Sequence, residues 1–167
     1  MEKRIACSGK TLEAGRRLVN IEVSVEIDAP PDTVWQILSD LEGWPSWTPT
    51  VKEVRRLNGP SFGVGSILRI RQPKLKTLDW HVSEFQEGRL FTWKARSPGI
   101  SVVARHVIRS NGRGSIVVLA VDQQGWLDPV VKLFFGSLSR QYVELEAQGL
   151  KRRCEELASR SGASHDA

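Results

Sequence analysis

The chain has 167 residues, is 40% apolar and 26% charged, and carries a formal net charge of +5. That size and balance fit one domain with its own core, and no apolar run approaches the roughly 18 residues that a membrane-spanning helix needs. Two cysteines, Cys7 and Cys154, stand in polar surroundings at opposite ends, too few for a disulfide framework or a thiolate metal site.

Residues 1–18 show no clean periodicity and read as an arm of uncertain order. They include Glu2, Lys3, Arg4 and Lys10 and hold no signal-peptide core, so a cytoplasmic location is expected. From Asn20 to Asp28, Ile21, Val23, Val25 and Ile27 alternate with polar residues, the pattern of a strand with one buried face. Ala29-Pro30-Pro31-Asp32 ends that strand and opens a short helix, with Val34, Trp35, Ile37, Leu38 and Leu41 on its apolar side. Gly43 to Pro49 cannot continue it as a regular helix, so a brief helical turn or loop carries Trp44 and Trp47.

Six further strands are expected at about 50–58, 64–72, 77–87, 89–97, 101–110 and 114–123. Turn residues separate them: Asn58-Gly59-Pro60, Pro73-Lys74, Glu87-Gly88, Pro98-Gly99 and Asn111-Gly112-Arg113-Gly114. Sequential hairpins of this kind make a seven-stranded antiparallel meander. Asp128-Pro129 then starts a long helix to about Leu157, its N-cap acceptor followed by a ring that fixes φ at the first helical position. Leu127, Val131, Phe134, Leu138, Tyr142, Leu145 and Leu150 form its apolar stripe, opposite Lys132, Arg140, Glu144, Gln148 and Arg152. A helix of about 30 residues is about 45 Å long and needs a partner surface of similar length. The sheet supplies it, giving an α+β domain over residues 19–158, with 159–167 as a disordered polar tail.

Strand parity sorts the side chains. Phe91 and Trp93 share a face opposite Thr92 and Lys94. His106 opposes Arg105, whose strand face also carries Arg109 and should be wet; Trp80 opposes Asp79 and His81. Trp80, Phe91, Trp93, His106, Phe134, Leu138 and Tyr142 therefore point toward the helix, with Trp44 and Trp47 near one end. These residues suit a dense core or the wall of an apolar cavity, and His106 a satisfied core imidazole or a ligand anchor. Gly136 and Gly149 each lower helix propensity and mark either close packing, which we favour, or a bend.

The run Ile27-Asp28-Ala29-Pro30-Pro31 into Val34-Trp35, then Asp40-Leu41, Trp44 and Trp47-Thr48-Pro49, resembles the START-related helix-grip superfamily. Gly65, Gln72-Pro73, Phe91-Thr92-Trp93, Arg105-His106 and Glu146 to Lys151 extend the likeness, closest to its bacterial polyketide cyclase/dehydrase-like group. The resemblance implies a curved antiparallel sheet gripping the C-terminal helix around a hydrophobic cavity, with two short helices after the first strand. It also implies a small hydrophobic ligand such as a lipid, fatty acid or polyketide-like molecule, bound, transported or sequestered, with Trp44 and Trp47 as a gate.

The alternative is a polyketide cyclase, aromatase or dehydratase with His106 and Tyr142 as acid and base. Arg69 and Arg71 share a solvent-facing parity and offer little to such a pocket, so the reading leans away from catalysis. An adaptor for nucleic acid using Arg55, Arg56, Arg69, Arg71, Lys74 and Lys76 would need exposed aromatics, which parity buries. No cofactor, metal or nucleic-acid partner is expected, and the chain should be a monomer or weak homodimer.

Overall fold

The computed structural model describes residues 19–163, apart from the side chains of residues 19–20, 128, 131–134 and 161–163. The expected N-terminal arm, Cys7, and the side chains of Asp128, Val131, Lys132 and Phe134 thus lie outside the described residues.

The alternating segment becomes β1 (Val19–Ile27), and α1 (Pro31–Ser39) follows with a proline at its first position. Asp40 caps a 3-10 helix over Leu41–Ser46, its side chain accepting from the Gly43 amide. Pro45 near its end removes one amide donor, which so short a piece can lose before the chain leaves the helix.

The remaining strands are β2 (Glu53–Arg56), β3 (Ile67–Arg71), β4 (Leu78–Gln86), β5 (Leu90–Ser97), β6 (Ile100–Ser110) and β7 (Ser115–Gln124). They form one antiparallel sheet in the order β1-β7-β6-β5-β4-β3-β2, so every pairing except β1 with β7 is a sequential hairpin. In β4 the register shifts between Val82 and Glu84, one extra residue that bends the strand. Trp80 and Val82 before it, and Phe85 after it, all face the concave side.

The final helix, α2, runs Asp128–Ala163, five residues beyond the boundary expected at 158, so residues 159–163 are helical rather than tail. Its buried stripe is Val143, Ala147, Leu150 and Cys154, at steps of four, three and four. Of the described members of the expected stripe only Leu150 is fully buried; Leu127, Leu138, Tyr142 and Leu145 are half-buried.

The two ends of α2 are held differently. Toward its C-terminus, Lys151 Nζ donates to the carbonyl of Glu26 at 2.7 Å, and the Asp28 amide donates to Glu155 at 3.0 Å. Gly149 lies against the 3-10 segment so closely that a Cβ there would meet the Trp47 carbonyl oxygen at 2.5 Å. This is the close approach, not a bend, that the glycine permits.

Cys154 does not occupy polar surroundings. It has no exposed surface and sits in the core with Val34, Leu38 and Val117. Burial pushes its thiol up to about 12 from 9.0.

Candidate functional site

Between the N-terminal half of α2 and the concave sheet lies a cavity of about 420 Å³. Its existence follows from the unequal grip: the C-terminal half of α2 fills the sheet, while the N-terminal half bridges it. Two contacts keep the bridge in place. Tyr142 donates its hydroxyl to the Pro73 carbonyl in the β3–β4 loop, and Gln123 Nε2 of β7 donates to Ser139 Oγ at 3.4 Å.

The inner wall is aromatic. Trp44, Trp80, Trp93 and His106 line it, with Ala104 and Leu119 between them. The rings meet edge to face or tilted: Trp80 to Trp93 at 5.3 Å, Trp44 to Trp93 at 5.6 Å, and Trp44 to His106 at 5.6 Å between centroids. This contact geometry suits rings with electron-rich faces and positive edges. Trp44 also donates its indole N–H to the Leu38 carbonyl at 3.1 Å, which fixes the ring to the end of α1.

One polar pair is set into this wall. His106 Nε2 lies 3.0 Å from Oε1 of Glu146, and both side chains are largely buried. An ionised carboxylate only accepts, so opposite it the imidazole donates from Nε2. Among the described residues His106 Nδ1 has no partner, and neither does the indole nitrogen of Trp93, although both are buried. Phe91 stacks on the imidazole at 4.3 Å and 16°, closing its other side.

Five of the sequence-expected residues therefore line the cavity: Trp44, Trp80, Trp93, His106 and Tyr142. Phe91 does not; it is fully buried behind His106, because the stacked imidazole stands between it and the space. Trp47 is also behind the wall, packed against Trp44 and the backbone of α2 at Gly149. Leu138 is half-buried and outside the lining, and the Phe134 side chain is outside the described residues. Since Trp44 is 1% and Trp47 8% exposed, the two plug one end of the sheet and do not form a gate open to water.

Glu146 is the residue the sequence reading missed. A carboxylate on a long helix is assigned to water by default, yet Glu146 lies four residues from both Tyr142 and Leu150, on the stripe expected to be buried. An inward histidine that needs a partner was the available signal.

The arginines behave as their parity requires. Arg69 pairs bidentately with Asp79 at 2.7 and 2.8 Å, and Arg71 with Glu53 at 3.2 Å, all across neighbouring strands on the convex face. The Arg69 guanidinium holds the Asp79 carboxyl below its usual range. Among the described residues no group of three His, Cys, Asp or Glu side chains has the geometry to hold a metal ion. No described helix is long and apolar enough to cross a membrane.

A seven-stranded antiparallel sheet closed over a long C-terminal helix, with an apolar cavity between them, defines a helix-grip protein. Residues 19–155 match the family model for polyketide cyclase / dehydrase and lipid transport, and the chain belongs to that family. Solved structures agree on the fold. An aromatase/cyclase from a Streptomyces species is 17% identical with a TM-score of 0.61, over 83% of this chain and 94% of that one. Norcoclaurine synthase from Thalictrum flavum, in complex with dopamine and hydroxybenzaldehyde, is 15% identical with a TM-score of 0.62, over 89% and 98%. A hypothetical protein of Helicobacter pylori is 14% identical with a TM-score of 0.69, over 88% and 99%. No curated protein matches the sequence.

Proposed function

We propose that the chain binds one small hydrophobic molecule, of the lipid, fatty-acid or polyketide-like kind, in the cavity beneath α2. The observation that carries this is a space of about 420 Å³ walled by Trp44, Trp80 and Trp93, with a few fixed polar groups, His106 with Glu146 and Gln123 with Ser139. Ligand sites have this character: mostly apolar, within roughly 300 to 1,000 Å³, with a few fixed polar groups to orient the guest. The volume lies toward the lower end, which suits a single compact chain or ring system. The family's description, which names lipid transport, supports the same reading.

Native mass spectrometry of the purified protein, followed by solvent extraction, tests it. A stoichiometric apolar adduct is expected, lost when Ala104→Phe fills the cavity. Absence of both an adduct and saturable uptake of a fluorescent fatty acid would overturn the proposal.

A second reading, cyclisation or dehydration of a poly-β-ketone chain, draws on Glu146. A carboxylate behind an imidazole fixes its tautomer and stabilises its charged form, as a general base requires. Tyr142 adds little to this reading, because burial raises its phenol and its hydroxyl proton is already given to the Pro73 carbonyl, so His106 carries the acid and base work. Turnover of a poly-β-ketone mimic, abolished in His106→Gln and depressed at least tenfold in Glu146→Gln, would favour the enzyme. Binding without turnover favours the carrier.

A further inference from the structure

The rim of the cavity differs from its wall. Trp126 is 79% exposed, Val130 52% and Phe135 40%, all at the junction of β7 with α2 or in its first turns. The other five tryptophans are buried or half-buried. Leu127, next to Trp126, and Phe135 line the cavity, so this apolar patch borders its opening.

The exposed indole is held in place by its neighbours. Leu127 N donates to the Gly99 carbonyl at 3.1 Å, and Gly125 backs onto Gly99 so tightly that a Cβ would meet that oxygen at 2.1 Å. A braced turn displays an aromatic ring to water, where its apolar area is unfavourable.

Positive charge flanks the same opening. Lys74 and Lys76 of the β3–β4 loop line the cavity and are exposed, and among the described residues neither forms an ion pair. Lys74 has φ of 60°, the only positive φ outside glycine among the described residues. That conformation is unfavourable for a residue bearing a Cβ, where glycine would adopt it freely.

We propose that this rim docks onto an anionic lipid bilayer, with Trp126 and Val130 entering the headgroup region and Lys74 and Lys76 meeting lipid phosphates. Indoles favour the membrane interface, and lysines near it are attracted by anionic headgroups. The net charge of +5 favours the same partner. A bilayer fits better than a protein because the patch surrounds the route by which an apolar guest enters, and seating it there spares the guest a passage through water. The purpose rests on the cavity reading; the docking itself does not.

Co-sedimentation of the full chain with vesicles of phosphatidylcholine, with and without phosphatidylglycerol, tests the proposal. Binding to the mixed vesicles is expected, weakening as salt is raised. Trp126→Ser should lower the partition about tenfold, and Lys74→Gln and Lys76→Gln about fivefold each. Saturable uptake of a fluorescent fatty acid, measured without vesicles, should be unchanged in Trp126→Ser, so the cavity is scored separately from the surface. Absence of vesicle binding, or binding indifferent to Trp126→Ser, overturns the proposal even if uptake persists. So does concentration-dependent dimerisation that Trp126→Ser abolishes in a chain that ignores vesicles, which would make the patch a contact between copies.

Discussion

Cys154 connects a single side chain to a measurable pH response. Its thiol is pushed up to about 12 while an ordinary one titrates near 9.0, so between these values the folded chain keeps a proton that the unfolded chain has lost. Stability contributed by the neutral thiol is complete below the lower value and falls as pH rises through the window. Urea unfolding from pH 8.5 upward is expected to show this decline, reduced in Cys154→Ala, and native Cys154 should resist thiol reagents until the chain opens. Glu146 makes a second case. Glu146→Leu leaves His106 Nε2 without its acceptor and is expected to lose about 1 to 3 kcal/mol of stability, with Glu146→Gln losing less. That His106 faces inward was legible because its strand neighbour Arg105, like Arg109, had to face water. That Cys154 is core was not, since its neighbours Arg152, Arg153 and Glu155 disguise a helix position whose facing surface comes from α1 and β7.

The long helix shows which features of an element sequence pattern resolves. Its start at Asp128 follows from the Asp-Pro signal, but its buried face is turned from the expected stripe toward Val143 and Ala147. Leu138 and Leu145 look like better core residues than alanine. What decides is the partner: where the helix crosses Trp47 there is room only for Gly149, and where it crosses the cavity the sheet leaves space beneath it. Its two glycines should accordingly respond in opposite directions. Gly149→Ala drives a methyl into the Trp47 carbonyl and is expected to destabilise by about 1 to 3 kcal/mol despite better helix propensity. Gly136→Ala meets nothing within 4 Å and should stabilise by up to about 1 kcal/mol, with thermal unfolding reading both. Tyr142→Phe removes the bond from α2 to the β3–β4 loop. Faster amide hydrogen exchange over residues 72–77 is the expected result, with little change in global stability.

At the scale of the molecule, the sheet was legible because each hairpin announces its turn, and the alternation within strands assigns the faces. The cavity was less so. Its shape depends on the bend at Val82 and Glu84 and on which half of α2 touches the sheet, neither of which strand alternation encodes. The same strand order has a further consequence for how the chain is made. β1 and β2 leave the ribosome first but occupy opposite edges, and among the described strands the one that pairs with β1 is the last, 90 residues later by the register of Glu26 with Ile116. Until Ser115–Gln124 has emerged, the first strand has no neighbour and the sheet stays open along β6. Ribosome-bound chains stalled before residue 115 should therefore be cleaved readily within β1, and protection should arrive only once the closing strand and helix are free to dock, leaving synthesis rather than local propensity to time the final fold.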